Sequence, residues 1–245
     1  MGKWKGILGA GCAALVVFGL VSACGDGGAT VSNKGNAGGA GANGSLRVAE
    51  TTQVDPAAPL IVAFGDSLYA GYGLDAGEGF APELQRQLAA AGVNVTVFNA
   101  GVSGDTSGAG QLRLAYMLDG LPKPPTLVIV GLGGNDLLRG IEPAMTRQNL
   151  DAILAELKRR EIPVMLTGMR APPNMGPDYV GSFESIYPDL ARKYDAALYP
   201  FFFEGIYGNS ALFLPDGIHP TAQGIDAVVD RVAPMVAEAL PDAGE

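Results

Sequence analysis

Between positions 60 and 240, short apolar runs alternate with longer segments of helical periodicity, and this alternation constrains the fold more than any other feature of the chain. Leu60-Ile61-Val62-Ala63-Phe64 is apolar throughout and stops at Gly65; 127–130 repeats the pattern, 93–98 and 163–167 are further strand-like runs with Asn94, Thr96 and Thr167 among their apolar residues, and 197–199 supplies a short fifth run. Runs without a polar face suit strands covered on both sides of a sheet. Between them the spacing predicts helices over 82–91, stopped by Gly92, over 106–118, over 143–160 with a proline in its first turn, over 179–194 and over 221–240. Strands separated by helices pair in parallel through crossovers, so the expected class is α/β, a three-layer α/β/α domain over 55–241 with a mostly parallel five-stranded sheet. Such sheets bind ligands at the carboxyl ends of their strands. Glycine-bearing turns follow Phe64, Phe98 and Val130, which places all three at that edge.

The segment before the domain reads differently. Lys3 and Lys5 precede an apolar stretch over 7–21, the layout of an export signal over 1–23, and that stretch is shorter than the about 20 residues a membrane span needs. It ends in Val21-Ser22-Ala23-Cys24, which resembles the bacterial lipobox and implies lipidation of Cys24. Plain cleavage after Ala23 and a retained amphiphilic anchor are the alternatives. Residues 24–54 are rich in Gly, Ala, Asn and Ser and poor in large apolar side chains, the composition of a flexible tether. About thirty such residues span about 30 Å, so the expected location is the bacterial periplasm, with the domain close to a membrane surface.

Residue counts exclude several chemistries. Both cysteines, Cys12 and Cys24, precede the domain, so a disulfide framework, a thiolate nucleophile and a cysteine-ligated metal are ruled out there. With one histidine, His219, no histidine-rich metal cluster can form, and no metal site is expected. Without 1–23 the chain carries 14 basic and 25 acidic residues, a net charge of −11 with no basic cluster, which argues against nucleic acid as a partner.

The three turns read Gly65-Asp66-Ser67-Leu68, Asn99-Ala100-Gly101-Val102-Ser103-Gly104 and Gly133-Gly134-Asn135-Asp136, and near the end of the chain stands Asp216-Gly217-Ile218-His219. In these four blocks, present in order, the sequence resembles the SGNH, or GDSL, hydrolases, and the likeness extends from about residue 60 to 240. That resemblance implies a flavodoxin-like sheet and acyl transfer through a serine, without metal or organic cofactor. The chemistry needs these residue types. A serine hydroxyl is a poor nucleophile until a base takes its proton, so Ser67 requires an imidazole, and His219 is the one available. Asp216, on the same loop, can fix the tautomer and balance the imidazolium. By resemblance, the oxyanion of the tetrahedral intermediate meets the backbone N–H groups of Ser67 and Gly101 and the side-chain amide of Asn135.

Other roles fit some of these residues. Ser67 suits a helix cap, and Ser103 and Ser107 are competing serines, although neither follows a strand through Gly-Asp and the chain has no Gly-x-Ser-x-Gly elbow. Asn135 suits a turn and Asp136 a cap for the segment after it. Asp66 is expected to orient its loop, and Asp105 and Arg139 to brace loops or face solvent. Leu137, Leu138 and Met175 are candidates for an acyl groove, with loop packing as the alternative.

Ala63-Phe64-Gly65-Asp66-Ser67-Leu68, Gly133 through Gly140, Ser185-Ile186-Tyr187-Pro188 and Pro200-Phe201-Phe202-Phe203 are similar to the bacterial thioesterase/arylesterase/lysophospholipase subgroup. This likeness implies small acyl esters, acyl-thioesters and lysophospholipids as substrates. Two other outcomes remain open: acetyl transfer on or off an envelope polysaccharide, and a non-catalytic lipid-binding lipoprotein.

Overall fold

A computed structural model describes residues 55–241. The export signal expected at 1–23, the lipidation site Cys24 and the tether at 24–54 lie outside the described residues. Five strands, β1 (Leu60–Gly65), β2 (Thr96–Asn99), β3 (Leu127–Gly131), β4 (Val164–Thr167) and β5 (Ala197–Tyr199), form one sheet in the order β2-β1-β3-β4-β5. Every pairing is parallel. The chain moves from β1 outward to β2, then returns across β1 to β3. That reversal opens a crevice at the carboxyl ends of β1 and β3.

Helices cover both faces: α1 (Ser67–Ala70), α2 (Phe80–Ala90), α3 (Ser107–Asp119), α4 (Gly134–Leu138), α5 (Pro143–Arg159), α6 (Pro177–Glu184), α7 (Ile186–Tyr194) and α8 (Ala222–Ala239). Successive strand side chains point to opposite faces, so the apolar runs divide into two cores. Ile61, Ala63, Leu127, Ile129 and Met165 pack with Leu84 and Leu88 of α2 and Val228 and Val232 of α8. Leu60, Val62, Phe64, Val128, Val130 and Leu166 pack with Leu114 of α3, Ile153 and Leu157 of α5 and Leu190 of α7. Each of the larger side chains, withdrawn from water, stabilises the fold by about 1.5–3 kcal/mol.

Three boundaries differ from those read in the sequence. The helix expected over 179–194 is two helices meeting at Ser185, because Pro188 has no N–H for the Glu184 carbonyl and its ring crowds that group. β2 starts at Thr96 rather than 93, since the Val93 N–H donates to the Leu88 carbonyl (2.9 Å) and so closes α2 through Gly92. α2 itself begins at Phe80, two residues before Pro82, which sits in the first turn where its missing N–H costs nothing. The single-turn helices α1 and α4, too short to show periodicity, hold the crevice residues.

Candidate active site

Ser67 stands at the start of α1, directly beyond β1. Asp66 caps that turn by accepting the Leu68 N–H at 3.0 Å, and Gly71, at φ 77°, ends it. One turn has little stability of its own, and Tyr69 supplies the rest from the sheet. Its ring lies over two strand-end glycines: a Cβ on Gly131 would fall 2.1 Å from the ring and one on Gly65 2.4 Å from it. Its hydroxyl reaches Thr167 Oγ1 at 2.7 Å. Those glycines therefore admit the ring that anchors the serine's turn. Gly101 is required for a related reason, since a Cβ there would lie 2.3 Å from the Ala70 nitrogen, where the loop after β2 runs against α1.

The loop before α8 brings His219 to Ser67. His219 Nε2 lies 2.8 Å from Ser67 Oγ, and Nδ1 lies 2.7 Å from Asp216 Oδ2. The other Asp216 oxygen accepts the Ile218 and His219 backbone N–H groups at 2.9 and 3.0 Å. The His219 backbone and ring, followed by the Ile218 N–H, hold the Asp216 carboxyl down at about 2. A carboxylate only accepts hydrogen bonds, so Nδ1 carries the proton and donates it. Nε2 is then bare toward Ser67, the arrangement in which the hydroxyl donates to it. Tyr72 packs on the imidazole with ring centroids 4.3 Å apart. The three residues expected to act together are thus joined in one hydrogen-bonded chain.

The expected oxyanion set needs one correction. The Gly101 N–H donates to Asn99 Oδ1 at 2.9 Å, so it is engaged within its own turn and is not a free donor. Three residues on, Gly104 borders the crevice with Ser67 and Asn135 at φ 86°, and its N–H has no protein acceptor among the described residues. The Ser67 N–H is likewise unengaged. Asn135 Nδ2 donates to the Asp105 carbonyl at 3.0 Å and lies 3.3 Å from Asp66 Oδ2. Both hydrogens of the resting amide are thereby engaged, and the longer contact, to Asp66, is the one an oxyanion must displace.

Buried acids support the site. Burial raises Asp66 to about 6, against the lowering effects of the Leu68 N–H, the Asn135 amide and His219. It orients the loop, as expected, and is hydrogen-bonded to Leu68 and Asn135 rather than to the imidazole. Asp136 is fully buried and does not cap the segment after it: it accepts the Ser107 N–H at 2.8 Å, the Ser107 hydroxyl and the Thr146 hydroxyl, capping α3 from outside. Ser107 is thereby committed to structure, and Ser103 lies on the crevice wall without contact to His219.

The crevice has a volume of about 1110 Å³. Leu137 and Leu138 line it, as the sequence suggested, whereas Met175 does not. Met175 ends a single 3₁₀ turn, after which Gly176 (φ 88°) turns the chain into α6, leaving Met169, Pro172 and Pro173 on the wall. The sequence reading gave no crevice role to the aromatic wall of Phe201, Phe203 and Phe213. Its signal was the run Pro200-Phe201-Phe202-Phe203 immediately beyond the β5 carboxyl end.

Residues 63–227 match the family described as GDSL-like lipase/acylhydrolase. The chain is 39% identical over 194 residues to "Esterase TesA" of Pseudomonas aeruginosa, covering 79% of this chain and 95% of that protein. It is 38% identical over 177 residues to "Thioesterase 1/protease 1/lysophospholipase L1" of Escherichia coli, covering 72% and 83%. Among solved structures it is similar to AlinE4, described as an SGNH-hydrolase family esterase, with 53% identity, a TM-score of 0.64, and 75% and 97% of the two chains covered.

Proposed function

The chain belongs to the GDSL-like lipase/acylhydrolase family, and on that premise we propose that it is a serine hydrolase of carboxylic esters and thioesters. The observation that carries this reading is the unbroken chain Ser67–His219–Asp216 at the mouth of an apolar crevice. Ser67 Oγ attacks the acyl carbonyl as His219 Nε2 takes its proton, and Asp216 balances the imidazolium. The carbonyl oxygen, now negative, is met by the Ser67 and Gly104 N–H groups and by the Asn135 N–H that leaves its 3.3 Å contact with Asp66. The imidazolium returns its proton to the leaving alcohol or thiol, and an acyl-Ser67 remains. Water activated by His219 then releases the acid and restores Ser67. Apolar walls suit an acyl or aryl group better than an acetylated sugar, which favours ester hydrolysis over acetyl transfer on polysaccharide. Such walls separate neighbouring chain lengths by only about 1–3 kcal/mol per methylene, so the acyl preference is broad and extends to lysophospholipids.

The decisive test is Ser67→Ala with p-nitrophenyl butyrate, an acyl-thioester and a lysophospholipid. Turnover of all three should fall at least about 10³-fold, and an unchanged rate would overturn the assignment. The reading extends to export and a lipid on Cys24, supported by the lipobox-like run before the tether. Metabolic labelling with a palmitate analogue should mark the exported protein and fail on Cys24→Ala; equal labelling of both would refute the anchor.

A further inference from the structure

The oxyanion donors sit on three separate strand ends, and one partly buried side chain touches the supports of all three. Arg113, on the inward side of α3, donates from Nε to Asp105 Oδ2 at 2.6 Å and from Nη2 to the Gly65 carbonyl at 3.0 Å. Its guanidinium lies 4.1 Å from the centroid of the Phe64 ring, and the pair is mostly buried, with side-chain exposures of 22% for Arg113 and 12% for Asp105. Gly65 is the strand residue that leads into Asp66 and Ser67. Asp105 follows Gly104, and its own carbonyl accepts the Asn135 amide at 3.0 Å. The Gly65 carbonyl also accepts the Val102 N–H at 3.0 Å, tying the same loop to the same strand end.

We propose that Arg113 is a positioning residue for the oxyanion hole, holding the Ser67, Gly104 and Asn135 donors in register by joining β1 to the Asp105 turn. The inference rests on the acyl-transfer reading above. A planar fork is what the position demands: one nitrogen for a carboxylate, another for a carbonyl, and a flat face for Phe64. An ammonium on a flexible stem satisfies one of these partners at a time. Arg139 donates to the Gly104 carbonyl from the solvent side and cannot substitute, because it contacts neither Asp105 nor β1. Losing Arg113 leaves Asp105 a mostly buried, unpaired carboxylate, and the turn that carries Gly104 and accepts Asn135 moves with it. A displacement near 1 Å at a catalytic group costs about 10²-fold in rate.

The experiment compares Arg113→Met and Arg113→Lys with the unaltered protein. It reads kcat and KM for p-nitrophenyl butyrate, inhibition by an alkylboronic acid that forms a tetrahedral adduct on Ser67, and the melting temperature. Arg113→Met should lower kcat about 10²-fold, leave KM within about threefold and weaken the boronic acid by a factor comparable to the loss in kcat, the signature of donors used in the transition state. Arg113→Lys should lose about tenfold in both readouts and melts closer to the parent. A purely structural role would lower the melting temperature without a matched loss of kcat and boronic acid affinity. A folded Met variant with kcat within threefold of the parent, or a loss carried by KM, overturns the inference. If the Met variant does not fold, an undiminished Lys variant overturns it. Failure of the acyl-transfer reading shows separately, as Ser67→Ala that retains turnover.

Discussion

Replacing Asp216 with asparagine changes one oxygen to an NH₂ group, and the structure decides which one. Oδ1 accepts two backbone N–H groups and Oδ2 accepts the imidazole. The asparagine carbonyl must stay with the backbone pair, because turning the amide over would set its NH₂ against two donors at about 1–3 kcal/mol each. The NH₂ therefore faces Nδ1, which has to give up its proton and accept, and the proton moves to Nε2. A ring with Nε2–H cannot receive the Ser67 proton. The bias of about 2–6 kcal/mol toward this wrong tautomer corresponds to about 30- to 10⁴-fold in rate, in addition to the lost countercharge. Asp216→Ala removes the countercharge and one charge-assisted hydrogen bond, about 1.5–3 kcal/mol or 10- to 150-fold, and leaves the ring free to choose its tautomer.

The expected order is thus inverted from chemical similarity: the asparagine variant is slower than the alanine variant, by tenfold or more in kcat/KM for p-nitrophenyl butyrate at pH 8. A second assay looks at the cause directly. His219 is the only histidine in the chain, so ¹⁵N-histidine labelling gives one pair of ring resonances, with the proton on Nδ1 in the parent and on Nε2 in the asparagine variant. An asparagine variant as fast as the alanine variant, or one retaining the Nδ1 proton, would refute the tautomer argument.

Three other outcomes follow from distances and burial. Asp66 is raised in the folded protein to about 6 from 3.8, so its contribution to stability is fully present below the lower value and is lost as pH rises through the upper one, by up to ~3 kcal/mol. Urea melts of Asp66→Asn against the parent should show the difference moving in the variant's favour by that order between pH 4 and pH 7, and a pH-independent difference counts against it. Gly101→Ala forces a Cβ against the Ala70 backbone and should lower the melting temperature more than Gly104→Ala, whose Cβ meets nothing nearer than 3.7 Å but must hold φ 86°; that strain falls on the N–H facing the crevice, so Gly104→Ala should cost more kcat per degree lost. The opposite ranking would restore Gly101 as the oxyanion donor. Tyr69→Phe strands the buried Thr167 hydroxyl and should destabilise by about 1–3 kcal/mol, measured by denaturant melts; no change would mean that the Tyr69–Thr167 contact carries no net energy.

What could be read from the sequence depended on how locally each feature is encoded. β1 and β3 are apolar on both faces and end in glycine, so their existence, direction and the crevice at their ends followed from a few residues. Ser67, Asp216 and His219 were legible because the chemistry needs one nucleophile, one base and one orienting acid, and the chain offers a single imidazole. Gly101 and Gly104 lie in one glycine-bearing loop, and which N–H is free depends on where the Asn99 side chain folds, a matter of geometry that spacing cannot express. Arg113 looks like any charged residue on a helix until α3 docks and its side chain meets Gly65, 48 positions earlier. The break at Ser185 was in reach, since Pro188 stands four residues after Glu184, but continuous apolar periodicity concealed it.

The bond between Ser67 and His219 spans 152 positions, with the proposed nucleophile near the start of the domain and the proposed base near its end. A ribosome releases the serine, its glycine turns and most of the sheet before the imidazole has been made. Every nascent chain or fragment that stops short of residue 219 therefore carries Ser67 without the imidazole proposed to activate it. On the acyl-transfer reading, hydrolytic competence arrives only when the last loop settles on the sheet edge, so the order of synthesis keeps the unfinished chain inert.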